Sequence, residues 1–547
     1  MSAVALRCDA DAERKLAHLR ERFAEAFPVR AADEGVGRDV DRDADDGAGG
    51  DVDAVAPFAP VAAHGTFVLA SAPGRLEVAG NHVDHQGGRV ISSAIGERVW
   101  GLAAENGKHL VRVSMEGFGT DAIDLNDADW RRPHGVETQS SGALLRGMLA
   151  AYDEAGGPLR GFDLATCSEV PAGCGLSSSA AFEVMVGAVL EALFGPGPFA
   201  GTPEPAPGQV AAEGGEGGFV PLDPVALALA GVTAEQRYFG KPCGAQDQLA
   251  SACGGTVLLD FGPKVPTVTP LAFDATGVGY AVVLVDSRQD HSVHTEEFAS
   301  VPADMRMVAN HLGVARLGDA SVEALFANLQ DIRAALGDGR VMRALHYFDE
   351  VARVDRQREA LEEGDFPLFL KCVRLSGASS AQFLQNVSPR DAGSEERQPA
   401  MLIQGLCAHL LSEEGAWRIH GGGFGGSVLA SCPSARSPAL WRRWTACSAT
   451  APAARWSWAA PACWRGGCHE WGRKRHGRCR GRARQSFLDV RFSDRALGDH
   501  HQPGQAREGS AGHRRRRSQR CRFLRLVLGG VEGGRPGAPA ALWRARD

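Results

Sequence analysis

The stretch SAPGRLEVAGNHVDH, residues 71–85, is the most informative segment of this chain. It follows a short strand-like run, Phe67–Ala70, and it brings together an arginine, two histidines and two acidic residues. A hydroxyl-rich ligand is bound by such a mixture, because it needs a buried cation and several short donors and acceptors. The stretch therefore predicts a tight binding loop for a polar small molecule.

Length and composition indicate an ordinary globular protein. The 547 residues suffice for two or three domains, and 44% hydrophobic with 23% charged residues is typical of such chains. No run approaches the ~20 apolar residues of a membrane span. The beginning of the chain has no apolar signal core, and the 13 Cys show no zinc-like spacing. We therefore predict a cytoplasmic protein with reduced thiols and no membrane partner.

The first 60 residues are predicted to lie outside the catalytic fold. Residues 1–30 have Leu16, Leu19, Phe23 and Phe27 at helical spacing. Residues 31–60 are rich in Asp, Gly and Ala, which predicts a disordered acidic linker. A second low-complexity stretch, 195–220, is interpreted as an exposed loop insertion.

The last part of the chain, 433–547, has a different composition. It holds 24 Arg and one Lys against seven acidic residues, together with seven of the ten Trp. One interpretation is translation of a GC-rich gene out of frame, or a disordered segment. The alternative is a basic arm for nucleic acid, centred on Arg514–Arg517. We favour the first, because excess Trp and Cys have no role in a solvated basic arm, and we predict neither a fold here nor a nucleic-acid partner.

The region between these ends shows a mixed α+β pattern. Residues 162–167 alternate as a half-buried strand, and Phe182–Phe194 has helical periodicity. Asp223 followed by Pro224 is a helix-start signal. Helical patterns dominate 303–385, and Ala416–His420 reads as a strand that enters a glycine-rich turn.

The segment PAGCGLSSSAA, residues 171–181, is a candidate phosphate loop. Its glycines let backbone N–H groups approach a ligand, and the start of a helix offers unpaired donors with a partial positive charge. The structural alternative is a serine-capped helix after a turn. The sequence contains no G-x-x-x-x-G-K-[ST] motif, so this is not a Walker-type loop.

The run GGGFGG, residues 421–426, formally contains G-x-G-x-x-G. A dinucleotide-binding loop opens a helix, whereas Ser427–Ala430 has the pattern of a strand. We therefore reject the dinucleotide interpretation and predict a tight glycine turn between two strands.

The segment CGAQDQ, residues 243–248, places Asp247 between two amides on a predicted loop. A carboxylate in this setting is suited to orienting or deprotonating a hydroxyl. A single loop aspartate is more often a turn former, so this motif has little weight alone.

In this order, the four motifs resemble the galactokinase branch of the GHMP kinase superfamily over about residues 67–430. Residues 71–85 match its sugar-binding signature, and 171–181 match its P-x-G-x-G-L-S-S-S-A loop. Residues 243–248 match its C-G-x-x-D-Q segment, and 421–426 match its G-x-G-F-G-G motif.

The resemblance implies an α+β, two-lobed GHMP kinase fold with the active site in the cleft between lobes. The lobes would be 61–285 and 286–432. The second is incomplete by the family pattern, because the strand, helix and final strand expected after the glycine run begin at Ser427–Ser431 and then vanish.

The resemblance also implies a role for individual residues. Asp247 would accept the proton of the sugar's anomeric hydroxyl, and Arg75 would stabilise the charge on that oxygen. Ser179 and Glu235 match the Mg²⁺ ligands. The residues that would bind the ATP phosphates are Gly173, Gly175, Ser177, Ser178 and Ser179. The residues that would bind the sugar are Asn81, His82, Asp84 and Gly244.

The expected activity is phosphorylation of galactose to galactose 1-phosphate with ATP and Mg²⁺. Two departures concern the sugar pocket: most relatives have Glu where this chain has Asn81, and a Tyr often aligns with Phe298. They leave open a kinase for N-acetylgalactosamine, arabinose or another sugar. A non-catalytic galactose and ATP sensor is the alternative from another class.

Overall fold

The computed structural model describes the residue ranges 10–28, 67–135, 138–201, 222–241, 243–289, 294–390, 397–434, 456–458 and 541–545. All of them belong to one structural unit. The predicted linker at 31–60 and residues 202–220 of the predicted insertion at 195–220 lie outside the described residues.

The described strands, in chain order, are β1 (Phe67–Ala79), β2 (Arg89–Glu105), β3 (Leu110–Met115), β4 (Gly119–Asp124), β5 (Phe162–Ser168), β6 (Thr256–Asp260), β7 (Thr267–Leu271), β8 (Tyr280–Asp286), β9 (Ala416–Ile419), β10 (Ser427–Pro433), β11 (Trp456–Trp458) and β12 (Ala541–Ala545).

The described α-helices are α1 (Ala10–Ala26), α2 (Ser141–Glu154), α3 (Ser178–Phe194), α4 (Pro224–Thr233), α5 (Gln246–Cys253), α6 (Thr295–His311), α7 (Val322–Ala327), α8 (Leu329–Leu336), α9 (Asp338–Glu363), α10 (Phe366–Ser379) and α11 (Pro399–Leu411). Two π-helical turns, Ala234–Phe239 and Ser380–Leu384, extend α4 and α10. Asp223 accepts hydrogen bonds from the N–H groups of residues 225 and 226, which confirms the predicted start of α4.

The strands form two sheets. The first has the order β12-β1-β2-β5-β3-β4, with β6 paired to β2 and β7 paired to β6. Its pairs are antiparallel except β3 with β5. The second sheet has the antiparallel order β11-β8-β10-β9. Antiparallel sheets with helices in separate blocks confirm the α+β class.

Strand β1 contains residues 71–79 of the sugar-binding stretch predicted at 71–85. The sequence suggests a loop directly after Ala70, but the strand continues to Ala79. Its pairing with β2 shifts register between Pro73 and Arg75 and again between Glu77 and Ala79. Such bulges change the direction of side chains, and the strand can therefore aim Arg75 inward despite the proline. The chain turns at Gly80, whose φ is 95°.

Helix α3 is buried along most of its length and packs on β1 and β2 of the first sheet. Its other neighbours include α2, α4, α5 and β12. A helix that is apolar on all sides is stable when it is covered on all sides, and this burial fixes where its first turn points. The phosphate-loop residues lie at that first turn.

The glycine run joins β9 to β10 as an antiparallel hairpin, with Ile419 opposite Val428. No helix follows it, which confirms that it is not a dinucleotide-binding loop. At Gly423, with φ of 78°, a Cβ would overlap the backbone oxygen of Asn386. The turn therefore needs glycine for both its conformation and its close approach to that chain segment.

Helix α1 confirms the helix predicted in residues 1–30. Leu19, Phe23 and Phe27 are buried against side chains of the first sheet, including Trp100 and Cys167. Lys15 also forms an ion pair with Glu169 at 2.8 Å. The amphipathic face seen in the sequence is thus the face that packs.

Two short strands lie in the segment 433–547, for which no fold is predicted from sequence. β11 pairs with β8, and β12 pairs with β1. Apart from these two strands, the residues after Ser434 lie outside the described part of the chain. The predicted lobe boundary between residues 285 and 286 falls at the end of β8, which belongs to the second sheet.

The helical region predicted at 303–385 is confirmed by α6–α10 and the π-helical turn after α10. None of the described helices is both long enough and apolar enough to span a bilayer.

Candidate active site

Arg75 and Asp247 form an ion pair at the centre of the site. Arg75 Nε donates to Asp247 Oδ1 at 2.7 Å, and Nη2 lies 2.6 Å from the same oxygen. Arg75 Nη1 also donates to the carbonyl of Gly175 at 2.5 Å. The Arg75 side chain is 7% exposed and that of Asp247 is 23% exposed. A ligand can therefore reach the carboxylate while the guanidinium stays fixed.

Asp247 is ionised at neutral pH. Burial raises its pKa, but the Arg75 guanidinium, the Lys241 ammonium and the Ser177 hydroxyl together hold it below its usual range. Asp247 lies at the second position of α5, so it is held by a helix rather than by the predicted loop. The site thus contains a fixed, charged acceptor.

The phosphate loop is shaped by backbone conformation. Gly173 and Gly175 have φ of 74° and 76°, and Ser177 has φ of 56°. Ser177 does not cap α3, and its Oγ donates instead to Asp247 Oδ2 at 2.5 Å. The alternative of a serine-capped helix is therefore wrong. The N–H groups of the first turn of α3 can face an anion, as helix starts do at phosphate sites.

Ser179 lies in the first turn of α3, beside Glu235, at the candidate ATP site. Ser179 Oγ donates to Glu235 Oε1 at 2.7 Å. Glu235 lies on the π-helical turn that follows α4, and it is 1% exposed. Lys241 Nζ lies 3.2 Å from Glu235 Oε1, so the buried carboxylate has a counter-charge. Short π-helical insertions of this kind are frequent at functional sites.

His82, a predicted sugar contact, is buried and neutral. Burial lowers its pKa to about 4. Its ring packs against the rings of Phe298 and His85, with centroids 5.3 and 5.8 Å away. Its Nε2 lies 2.8 Å from the carbonyl of Gly422, which can only accept. Nε2 therefore carries the hydrogen, and Nδ1 is an acceptor.

Asp84 and Gly244 are in direct contact. A Cβ at Gly244 would collide with Asp84 Oδ2, so glycine allows the two segments to meet. Burial raises the pKa of Asp84, a hydrogen bond from the backbone N–H of His85 lowers it, and the Glu77 and Asp247 carboxylates raise it, which together give a pKa of about 7. Asp84 is thus a buried acidic group whose ionisation is disfavoured by burial and by the Asp247 and Glu77 carboxylates.

We expect Asp84→Asn to stabilise the chain at pH 8. The folded chain binds the Asp84 proton more tightly than the unfolded chain does, since the pKa is about 7 against an ordinary 3.8. Stability therefore falls as pH rises from about 4 to about 7, and the asparagine escapes a loss on the order of 2–4 kcal/mol. Urea unfolding at pH 4.5 and pH 8 measures this gain.

Asp319→Asn is the control for that measurement, because a hydrogen bond from Arg316 lowers the pKa of Asp319 and no gain is expected. Equal stability of wild type and Asp84→Asn at pH 8 would contradict the loss of stability that we assign to ionisation of Asp84.

Asn81 is 0% exposed and makes hydrogen bonds only within the protein among the described residues. Its Nδ2 donates to Glu77 Oε1 at 2.9 Å and to the carbonyl of Gly421 at 2.6 Å. Its Oδ1 accepts from Asn386 at 2.9 Å and from Ser380 at 3.2 Å. A sugar hydroxyl would have to displace these partners, so the predicted sugar contact of Asn81 stays a prediction.

The structure adds residues that the sequence analysis did not identify. Arg418 forms a buried ion pair with Glu77, and Gln246 Nε2 donates to the same carboxylate at 3.3 Å. Lys241 neutralises Glu235. A weak signal for Lys241 existed, since it is one of two cations, with Arg237, between two acidic residues of the predicted site, Glu235 and Asp247. No comparable signal linked Arg418 to residues so far away in the chain.

The chain is similar to known galactokinases and to other GHMP kinases. Residues 61–105 match a family model described as the galactokinase galactose-binding signature, and 143–206 match the N-terminal domain of GHMP kinases. A galactokinase of Actinobacillus pleuropneumoniae serotype 5b is 27% identical over 369 residues, which are 67% of this chain and 85% of that protein. The fold is similar to that of Lactococcus lactis galactokinase, solved with galactose. That match has a TM-score of 0.62, 21% identity, and covers 82% of this chain and 98% of the other.

Proposed function

The chain belongs to the galactokinase family of the GHMP kinase superfamily, and we propose that it transfers the γ-phosphoryl group of ATP to the anomeric hydroxyl of galactose. The observation that supports this most is the arrangement around Asp247. One of its carboxylate oxygens is held by Arg75, the other by Ser177 of the phosphate loop. A charged acceptor thus lies directly beside the candidate site of the ATP phosphates.

In the proposed mechanism, Asp247 accepts the proton of the anomeric hydroxyl as that oxygen attacks the γ-phosphorus. Its low pKa keeps it in the accepting form at neutral pH. Arg75, fixed by Asp247 and by the Gly175 carbonyl, offsets the negative charge that develops near the attacking oxygen. Because phosphoryl transfer needs little covalent help, most of the rate comes from this positioning and charge neutralisation.

We assign the ATP phosphates to the loop before α3 and to its first turn. Gly173 and Gly175 supply the positive-φ backbone that lets N–H groups converge on an anion, and Ser178 opens the helix. Ser177 and Ser179 are held by Asp247 and Glu235, so their hydroxyls are already oriented.

Ser179 and Glu235 fit a Mg²⁺ site, which we include in the proposal. Their oxygens lie 2.7 Å apart, and Mg²⁺ prefers such hard ligands in combination with substrate phosphates and water. When bound, the ion neutralises charge on the β- and γ-phosphates. The protein's own contribution is the buried, pre-aligned hydroxyl and carboxylate.

Glu235→Gln is expected to weaken Mn²⁺ binding to the chain with bound ATP by at least about tenfold, because the amide offers a neutral oxygen in place of a charged one. Electron paramagnetic resonance of free Mn²⁺ measures this affinity, and the galactose KM should stay within about threefold. Glu154→Gln, a surface carboxylate near Arg237, is the control. Unchanged Mn²⁺ affinity in Glu235→Gln would exclude Glu235 as a ligand.

The sugar preference is tested by ADP release with Mg-ATP and a panel of galactose, N-acetylgalactosamine and arabinose. The proposal expects the largest kcat/KM with galactose. Phe298 touches His82 and lies against Gly422, so it borders the site where the sugar is expected. A larger kcat/KM with another sugar would replace galactose as the substrate. Binding of galactose and ATP without any turnover would indicate the sensor.

The cytoplasmic location stays a prediction.

A further inference from the structure

Glu183 is a buried carboxyl that the proposed mechanism does not use. It lies on α3, one helical turn after Ser179 and on the same face. It is 0% exposed. A buried carboxyl is costly unless it makes specific interactions, so its contacts deserve an explanation.

Two neighbouring helices meet at this carboxyl. Gln248 Nε2 donates to Glu183 Oε2 at 3.0 Å, and Gln248 is itself fully buried. Gln248 is the residue after Asp247 on α5. On the other side, a Cβ at Gly231 of α4 would lie 2.7 Å from Glu183 Oε2. Glu183 thus contacts the helices that lead to Glu235 and to Asp247.

The carboxyl can remain here because it is neutral. Burial, and next the nearby Glu235 carboxylate, raise the pKa of Glu183 well above its usual range. Oε2 accepts from Gln248, and Oε1 has no partner in the part of the chain that the structure describes. The proton therefore belongs on Oε1, and the hydrogen bond to Gln248 is a neutral one.

We propose that Glu183 is a positioning residue that links the phosphate-loop helix to the helix of the base through Gln248. The link sets the distance between Asp247 and the pair Ser179 and Glu235. This inference rests on the proposed function of those three residues. A displacement of about 1 Å at a reacting group can cost about 10²-fold in rate, so a link one residue from Asp247 affects turnover.

The test replaces the carboxyl without changing its volume much. Glu183→Met removes the acceptor and is expected to lower kcat by about 10- to 100-fold, with the galactose KM within about threefold. Glu183→Gln keeps an oxygen that accepts from Gln248 and is expected to retain kcat within about threefold. Gln248→Met should lose as much as Glu183→Met, and the double variant should lose no more than either.

Glu191→Met is the matched control. Glu191 lies two turns further along α3, is equally buried, and accepts from the N–H groups of Gly197 and Phe199 at 2.7 and 2.6 Å. Its replacement is expected to lower the urea midpoint of unfolding without lowering kcat. Loss of stability alone is thereby separated from loss of positioning.

Retained kcat in Glu183→Met, or kcat losses that multiply in the double variant, would overturn the inference. If the wild-type chain has no turnover, the proposed function fails and the link is judged from the urea midpoints. Shifts in the double variant no larger than in either single variant would support the link, and additive shifts would exclude it.

Discussion

Replacing Asp247 with Asn is expected to lower kcat by about 10³-fold while the chain stays folded. The amide keeps the size of the carboxylate, and its oxygen can still accept from Arg75, which now bonds to Oδ1 at 2.7 Å. It cannot take a proton from a sugar hydroxyl. It also leaves Arg75 without a counter-charge, so the electrostatic balance of the site is lost as well.

Steady-state ADP release with galactose and Mg-ATP measures this effect. Asp319→Asn, on an exposed turn beside Arg316, is the control and should keep its kcat. Because the pKa of Asp247 is held below its usual range, wild-type kcat/KM should not depend on this group at neutral pH and should fall only on strong acidification. A variant that keeps more than a tenth of the wild-type kcat would contradict the role of Asp247 as base.

Replacing Arg418 with Met is expected to lower the free energy of unfolding by about 3–5 kcal/mol. Arg418 is fully buried on β9 and forms an ion pair with Glu77 of β1. The methionine removes the nearest cation and leaves Glu77 buried with the neutral amides of Asn81 and Gln246 as hydrogen-bond partners and only the charge of Arg75 to offset its own. The pair joins the two sheets directly behind the candidate sugar site, so binding of galactose should weaken too.

Urea unfolding followed by far-UV circular dichroism measures the loss. The double variant Glu77→Gln with Arg418→Met is the control, because it removes both charges and should recover a large part of the stability. A loss below about 1 kcal/mol in Arg418→Met, or a double variant less stable than the single one, would show that the unpaired Glu77 charge does not cost the expected stability.

The sequence predicts much of the site because its motifs are local. The loop before α3, the start of α4 at Asp223 and the glycine hairpin are each determined by residues within a few positions. Local turn chemistry and helix-start signals are strong at that range. The resemblance to a known family then places these segments in one site, which spacing alone could not do.

The parts that could not be predicted depend on contacts between distant residues. Pro73 and Gly74 suggest a turn, yet β1 continues through both residues. At Gly74 a Cβ would lie 2.8 Å from the carbonyl oxygen of Leu176, so the glycine lets the strand pack closely against that segment. Glu77 and Arg418 are 341 positions apart, and no local pattern links them. Tertiary packing overrides local preference at such places.

Asn81 is a residue for which the motif predicts a ligand contact but not the hydrogen bonds that the side chain already makes within the protein. Its place in the sugar-binding signature predicts a contact with the ligand, but its polar atoms are bonded to Glu77, Gly421, Asn386 and Ser380. Three of those partners lie about 300 or more positions away in the chain, so a motif cannot show that the amide is already occupied. The structure therefore shifts the expected sugar contacts towards His82, Asp84 and Asp247.

The identity of the phosphorylated product shows whether the chain phosphorylates the anomeric hydroxyl of galactose. Phosphorus NMR of galactose and Mg-ATP incubated with the full chain should show ADP and a sugar phosphate whose phosphorus couples to the anomeric proton. The same incubation with Asp247→Asn should show almost none. Phosphate on another hydroxyl, or ADP formed without a sugar phosphate, would contradict the proposed reaction.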